Sequence, residues 1–427
     1  MNTGLPLAGL RVADFCWIGA GSYTTKILGD LGADVIKIES ASRLDSLRQA
    51  GPYKDGIAGV NRSGYFADRN TSKRGITVDL KHPRGPDLVR RLVARSDIVA
   101  NNFAAGVMDK FGLGAADCAR LKPDIIYLAM SMQGSQGPER DFRGTGSSIA
   151  ALTGIQALSG LPDRVPAGTG TNYPDHLPNP CHAAFAVLAA LRHRRRTGQG
   201  QYIDFAQTEP MLALLGPTFL DLTVNGHAQD RRGNEHPYAA PHGVYPCRGD
   251  DRWIAITVMD DMQWQALVRV IGSTPGQAPE KAASASASAS AAATGWANDA
   301  RWHTQAARHA GRVELDRFLG AWTAPHEASA LMRALQAAGV SAGTVQDARD
   351  VTRHDPQLAH RGHWVRLPHA EMGESIYNNL PFRFSHTPIR PSRPAPLLGE
   401  HTREVLRDVI GLAEAEIDDL ERAQVLR

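Results

Sequence analysis

Five short runs rich in β-branched and aliphatic residues, at 10–15, 35–38, 76–80, 98–100 and 125–130, are separated by stretches of helical periodicity such as 23–31 and 87–94. Runs this short and this uniformly apolar suit strands buried on both faces. Strands that alternate with helices are joined by crossovers, which makes neighbouring strands parallel. The first half of the chain is therefore expected to form a doubly wound, mostly parallel α/β sheet. Gly19 and Gly21 follow the first run and invite a dinucleotide-binding reading. The fingerprint G-x-G-x-x-G needs a third glycine, however, and Thr24 occupies that place.

A length of 427 residues leaves room for two or more domains with substantial cores. The balance of 47 basic against 44 acidic residues, a net charge of +3, is too slight to imply a nucleic-acid or membrane-surface partner. Cys16, Cys118, Cys181 and Cys247 lack zinc-site spacing, so free thiols in a reducing compartment and no bound metal are expected. The cytoplasm is the default location, since no signal-peptide pattern and no run of eighteen apolar residues occurs.

Beyond residue 200, the run 201–206 reads as another strand, followed by a helical stretch through Leu222. Further strands are expected at 243–247 and 253–258, a helix at 262–271 and two amphipathic helices within 315–339. The segment 273–294, with KAASASASASAAAT, offers no side chains to anchor a core and reads as an inserted loop. The last thirty residues read as a helical tail.

The stretch from Gly170 to Gln201, GTNYPDHLPNPCHAAFAVLAALRHRRRTGQGQ, places one carboxylate just before an apolar helix that starts near Pro180. Asp175 is the only acid between Asp163 and Asp204. On its own, an Asp after Pro174 reads as a turn or capping residue. Its surroundings change that reading. This stretch, the opening LAGLRVADFCWIGAGSYTTKILGDLGADVIKIE, the blocks RNTSKRGITVDLKHPRG, NNFAAGVMDKFGLG and LKPDIIYLAMSMQG, and the closing strings DPQLAHRGHWV and PLLGEHTREVLRDVIGLAEAEIDDL resemble, in order, the family III CoA-transferases, which include formyl-CoA:oxalate and carnitine CoA-transferases.

The resemblance implies a Rossmann-like domain of residues 1–206, a linker 207–232, a smaller α/β domain 233–344 carrying the insertion 273–294, a return linker 345–395 and a C-terminal helical segment 396–427 that completes the large domain. It also implies two subunits threaded as interlocked rings, in a homodimer or in a heteromer of related subunits. Acyl-CoA and a carboxylic acid would be substrates, with no permanently bound cofactor. Asp175 would be the nucleophile, since a side-chain carboxylate attacking a thioester forms a mixed anhydride and needs no general base. By motif position, CoA would meet Gly19, Ala20, the segment Asn70, Thr71, Ser72 and Lys73, then Asn102, Phe103, Ala104 and Lys110, with Lys73 on a phosphate.

Departures from the family pattern sharpen the expectation. Gly19 stands where formyl-CoA transferase has Gln, Ser40 and Lys110 replace arginines, RRGNEHPYAAPHG replaces a glycine loop, and an ungapped count from the helix lands on His176 rather than Asp175. Two alternatives stay open: a 2-methylacyl-CoA racemase, whose His and Asp positions hold Thr145 and Gly146 here, and a noncatalytic CoA-binding subunit. The surround of Asn172, Tyr173, His176, Asn179 and His182 would suit a polar or dicarboxylic acyl group such as succinyl.

Overall fold

The computed structural model describes residues 4–273 and 295–427, so most of the expected Ser/Ala-rich insertion, 274–294, lies outside the described residues. The described chain divides into two compact units. The first comprises Met1–Ser159, Pro166–Gln229 and Pro356–Arg427; the second comprises Gly160–Val165 and Asp230–Asp355.

In the first unit β1 (Arg11–Asp14), α1 (Ile18–Asp30), β2 (Asp34–Glu39), α2 (Gly64–Arg69), β3 (Lys73–Thr77), α3 (Gly85–Val93), β4 (Ile98–Asn101), α4 (Ala115–Leu121) and β5 (Ile126–Ala129) follow in order. The helices α5 (Gly146–Leu152), α6 (Ile155–Leu158), α7 (Tyr173–His176) and α8 (Pro178–Thr197) then lead to β6 (Gln201–Asp204). All six strands are parallel, in the order β3-β2-β1-β4-β5-β6. Chain direction across the sheet therefore reverses between β1 and β4.

The strands alternate as a sheet covered on both faces requires. Val12, Val35, Ile98, Ala100, Ile126 and Leu128 face Leu28, Ala183, Val187 and Leu191 of α1 and α8. Ala13, Ile36, Ile38, Ile76, Val99 and Tyr127 face Leu88 and Leu92 of α3 and the C-terminal residues Val405, Leu406, Ile417 and Leu420. The tail is pinned to β3 by His401 N–H donating to the Gly75 carbonyl at 2.9 Å and Thr77 N–H donating to Thr402 Oγ1 at 3.0 Å. It thus covers one face of the sheet.

Two elements depart from the sequence pattern. The third strand begins at Lys73, three residues before the apolar run, because Lys73 and Arg74 have anionic partners, Asp14 at 2.9 Å and Asp34 at 2.6 Å, that let charged residues enter the sheet. α1 begins at Ile18 rather than at Tyr23, so the small residues Gly19, Ala20 and Gly21 form its first turn. A Cβ on Gly21 would lie 2.7 Å from Cys16 Cβ and 2.9 Å from Asn102 Cγ, so this turn packs only without side chains.

Residues 207–229 hold α9 (Glu209–Leu214) and α10 (Gly216–Asn225). The second unit contains an antiparallel sheet of β7 (His242–Pro246), β8 (Trp253–Thr257) and β9 (Ser341–Thr344), packed with helices Asp261–Ser273, Arg312–Thr323 and Ala328–Ala337 around Trp264, Leu267, Trp302, Leu315 and Leu335. Within the stretch expected as a return linker, 356–395 contains helix Pro356–Arg361 and the hairpin of β10 (Trp364–His369) and β11 (Gly373–Asn378) before the proline-rich segment.

Candidate active site

All six parallel strands end on one edge, and a cleft of about 540 Å³ opens there. Its walls come from the residues that end or follow each strand: Phe15 and Trp17 after β1, Ser40 and Arg43 after β2, Asp79 and Lys81 after β3, Asn102 to Ala104 and Lys110 after β4, Met132 after β5, and Gln207 after β6. Open α/β sheets bind ligands beyond the carboxyl ends of their strands, where the strand order reverses. Arg43, Lys81, Lys110 and Arg143 supply four cations to the walls, and Phe15, Trp17, Phe103, Phe111 and Phe142 supply aromatic surface. Such a surface suits a long ligand with an anionic end and an apolar arm.

The turn between β1 and α1 is held in a strained shape. Ile18 has φ of 59°, the left-handed region, which is costly for a β-branched residue. Three contacts impose it. Asn102 accepts from Trp17 N–H at 2.8 Å and donates to the Trp17 carbonyl at 2.7 Å, while Asp45 Oδ1 accepts from Ile18 N–H at 3.1 Å. Below the turn lies a fully buried ionic network: Lys37 Nζ meets Asp45 at 2.9 Å and the Cys16 carbonyl at 2.6 Å, and Lys73 Nζ meets Asp14 at 2.9 Å. Burial works to raise the Asp14 pKa, yet Lys73 and Lys37 outweigh it and hold the carboxyl below its usual 3.8.

This network also engages Lys73. Lys73 was expected to reach a phosphate, but its ammonium is fully buried against Asp14, the Ser22 carbonyl, Thr25 Oγ1 and Asn70 Oδ1, which use up its three protons. Asn70, Thr71 and Ser72 are buried with it, and Thr71 and Ser72 both bond Asp30. None of the four lines the cleft. Asn102, Phe103, Ala104 and Lys110 do line it, although the Asn102 side chain is spent on clamping Trp17. Trp17, Arg43, Lys81 and Arg143 also line the cleft and were not singled out; the first three share position just beyond a strand, whereas Arg143 lies well past the end of β5 and carries no such signal.

Asp175 sits in α7, a single helical turn, rather than in a loop. Its residue is only 4% exposed. The carboxylate is wedged between two glycines: a Cβ on Gly19 would lie 2.7 Å from Asp175 Cβ, and one on Gly146 would lie 2.9 Å from Oδ2. Gly146 N–H donates to Oδ2 at 3.2 Å, and Gly144, two residues earlier, lines the cleft. Burial pushes the carboxyl up to about 6, against the smaller opposing effects of the Gly146 amide and the Arg69 charge. It remains mostly ionised above neutrality. The first turn of α1 presents its positive end beside this carboxylate, and among the described residues the Gly19 and Ala20 amides meet no acceptor.

His176 is held apart from that role. Its Nε2 bonds Tyr65 Oη at 2.7 Å and its Nδ1 bonds Thr171 Oγ1 at 3.1 Å, while burial, then the Arg69 charge, brings its pKa down to about 4. Asn172 accepts from Ser147, Asn179 donates to Gln207, and His182 Nδ1 bonds the Pro178 carbonyl. Much of the polar surround thus braces α7 and α8. Among the described residues no cluster of three or more His, Cys, Asp or Glu could hold a metal, and no helix is long and apolar enough to cross a membrane.

Comparison with known proteins bears directly on this geometry. Residues 7–402 match the family described as CoA-transferase family III. A succinyl-CoA–D-citramalate CoA-transferase of Chloroflexus aurantiacus is 32% identical over 421 residues, spanning 99% of this chain and 98% of that protein. A succinate–glutarate CoA-transferase of Agrobacterium fabrum is 32% identical over 424 residues, again 99% and 98%. The crystal structure of a CAIB/BAIF family protein from Brucella suis superposes with a TM-score of 0.81 at 31% identity, covering 95% of this chain and 99% of that one. The chain belongs to CoA-transferase family III and is an enzyme of CoA transfer.

Proposed function

We propose that this enzyme moves CoA from succinyl-CoA to a second short carboxylic acid through covalent intermediates on Asp175. The observation that carries this reading is the placement of one buried, ionisable carboxylate between Gly19 and Gly146, beside the first turn of α1 and bonded to the amide two residues after Gly144, which lines the cleft. Succinyl-CoA is chosen as donor because the Chloroflexus and Agrobacterium relatives are named for succinyl or succinate exchange.

A carboxylate oxygen of Asp175 attacks the thioester carbonyl carbon. The C–S bond breaks, CoA leaves as thiolate, and a mixed aspartyl anhydride remains. The thiolate then attacks the aspartyl carbonyl and releases the donor acid, which leaves an aspartyl-CoA thioester. The acceptor carboxylate attacks that carbonyl, expels the thiolate and forms a new anhydride. Attack by the thiolate on its acyl carbon gives the product thioester and restores Asp175. The Gly19 and Ala20 amides, without acceptors in the first turn beside Asp175, would serve as donors to the tetrahedral oxyanion, and burial of Asp175 would keep water from hydrolysing the anhydride. The nucleotide end of CoA lies along Arg43, Lys81, Lys110 and Arg143. The subunits pair as an interlocked dimer, and the exposed Phe185, Leu220 and Val224 of α8 and α10 support burial in such an assembly.

Racemisation is poorly served by this site. It would require a free imidazole, and both nitrogens of His176 are already bonded. Incubating the protein with a panel of acyl-CoA donors and acids, and following new thioesters by mass spectrometry, tests the reading directly. Hydroxylamine should trap a hydroxamate on the peptide containing Asp175. Transfer without any trapped adduct, or a trapped residue elsewhere, would overturn the assignment.

A further inference from the structure

We infer that Arg69 recognises the distal carboxylate of a dicarboxylyl group and so selects succinyl-type thioesters over monocarboxylic ones of the same length. The inference rests on the reading of Asp175 as the acyl-bearing residue and adds how the far end of the acyl group would be held.

Arg69 closes α2, one helical turn after Tyr65. Tyr65 Oη bonds His176 Nε2 at 2.7 Å, and His176 is the neighbour of Asp175, so both α2 residues share the surface that meets the catalytic turn. The Arg69 guanidinium lies over the Tyr23 ring at 4.4 Å and within 5.9 Å of the Tyr65 ring. Stacking of this kind holds the guanidinium plane and does not consume its N–H donors. Its Nε is buried and unpartnered, and Nη1 faces Asp68 Oδ2 at 3.0 Å. A guanidinium carries five N–H donors, so this one retains capacity for a bidentate carboxylate.

Electrostatics makes a cation here necessary for a dicarboxylyl substrate. The distal carboxylate of a succinyl group lies only two methylenes from the carbonyl that Asp175 attacks, so it approaches an ionised side chain of the same sign. The positive charge of Arg69 reaches both Asp175 and His176. Nearby Lys26 is spent on Asp30 at 2.6 Å and the Asn378 carbonyl at 3.4 Å. The polar residues first expected to meet a second carboxylate largely brace α7 and α8 instead.

The test compares succinyl-CoA with butyryl-CoA, which differ at the distal carboxylate, by calorimetry in an Asp175→Asn background that blocks turnover. Arg69→Gln should weaken succinyl-CoA binding about 10- to 100-fold, the span expected for one charged hydrogen-bonded contact. Butyryl-CoA affinity should stay within about twofold, the scatter of neutral contacts. Arg69→Lys should recover part of the difference, which separates charge recognition from a packing role. An equal loss for both thioesters, or no loss for either, would overturn the inference. If the affinity difference holds while the wild-type enzyme transfers CoA between no tested pair, the transfer mechanism falls and the assignment of Arg69 stands.

Discussion

Replacing Asp175 with Asn should stabilise the protein at alkaline pH and abolish its activity. Burial lifts this carboxyl from 3.8 to about 6. Because the folded-state value lies above the unfolded one, the favourable contribution is fully present below 3.8 and is lost as pH rises through about 6. Each pH unit is worth about 1.4 kcal/mol, so ionising the carboxyl inside the fold costs about 3 kcal/mol at pH 8. The neutral amide avoids that cost, and its oxygen can still accept the Gly146 N–H. With an unfolding entropy of about 2.1 cal/mol/K per residue, the chain of 427 residues should melt about 3 °C higher at pH 8 than the wild type. At pH 4 the two melting curves should converge. The assay is a pair of thermal melts across pH, with transfer followed by mass spectrometry. Equal melting at pH 8, or a lower melting temperature for Asp175→Asn, would refute the claim that this carboxylate is held ionised against burial.

Four further outcomes follow from the same geometry. Lys73→Ala should cost about 3 to 5 kcal/mol of stability in denaturant melts, because it strands the buried Asp14 charge; a fall in CoA affinity with unchanged stability would return Lys73 to the cleft. Lys110→Ala should weaken CoA binding by about 1 to 3 kcal/mol in calorimetry, with a shallower salt dependence. Gly19→Ala would set a Cβ 2.7 Å from Asp175 Cβ and should cut kcat roughly 100-fold through misplacement of the nucleophile. His176→Gln should retain transfer and the acid limb of the pH profile near 6, since the imidazole is neutral and bonded in the site; loss of all transfer would favour His176 as the chemical group.

The parallel sheet was legible because most of its strands carry short apolar runs buried on both sides; β6, QYID, is an exposed exception. The start of β3 was not, because Lys73 and Arg74 look like strand breakers until Asp14 and Asp34 are found opposite them, 59 and 40 residues earlier in the chain. Lys73 exposes the same limit at the site: position within a motif identified an important lysine, but only packing distinguishes a cation that meets a ligand from one that holds a loop. Gly19 was expected to approach CoA by its place in a motif, whereas its contact with Asp175 joins segments more than 150 residues apart and leaves no local trace. Arg69 opens the block RNTSKRGITVDLKHPRG and drew no assignment there, since nothing in the sequence says that its neighbours are two tyrosines.

The tail that packs on the sheet also sets the order in which the protein can mature during synthesis. All six strands have been made by Asp204, and α1 and α8 are then available to cover one face. The opposite face has α3 but lacks Val405, Leu406, Ile417 and Leu420, which are made about 200 residues later. At about 5 to 20 residues per second, the ribosome needs about 10 to 40 seconds to supply them. Throughout that interval the nascent sheet presents Ile36, Ile38 and Ile76 incompletely covered. The chain is therefore most vulnerable to aggregation, and most in need of a chaperone, after its catalytic half has been translated and before its last helix is.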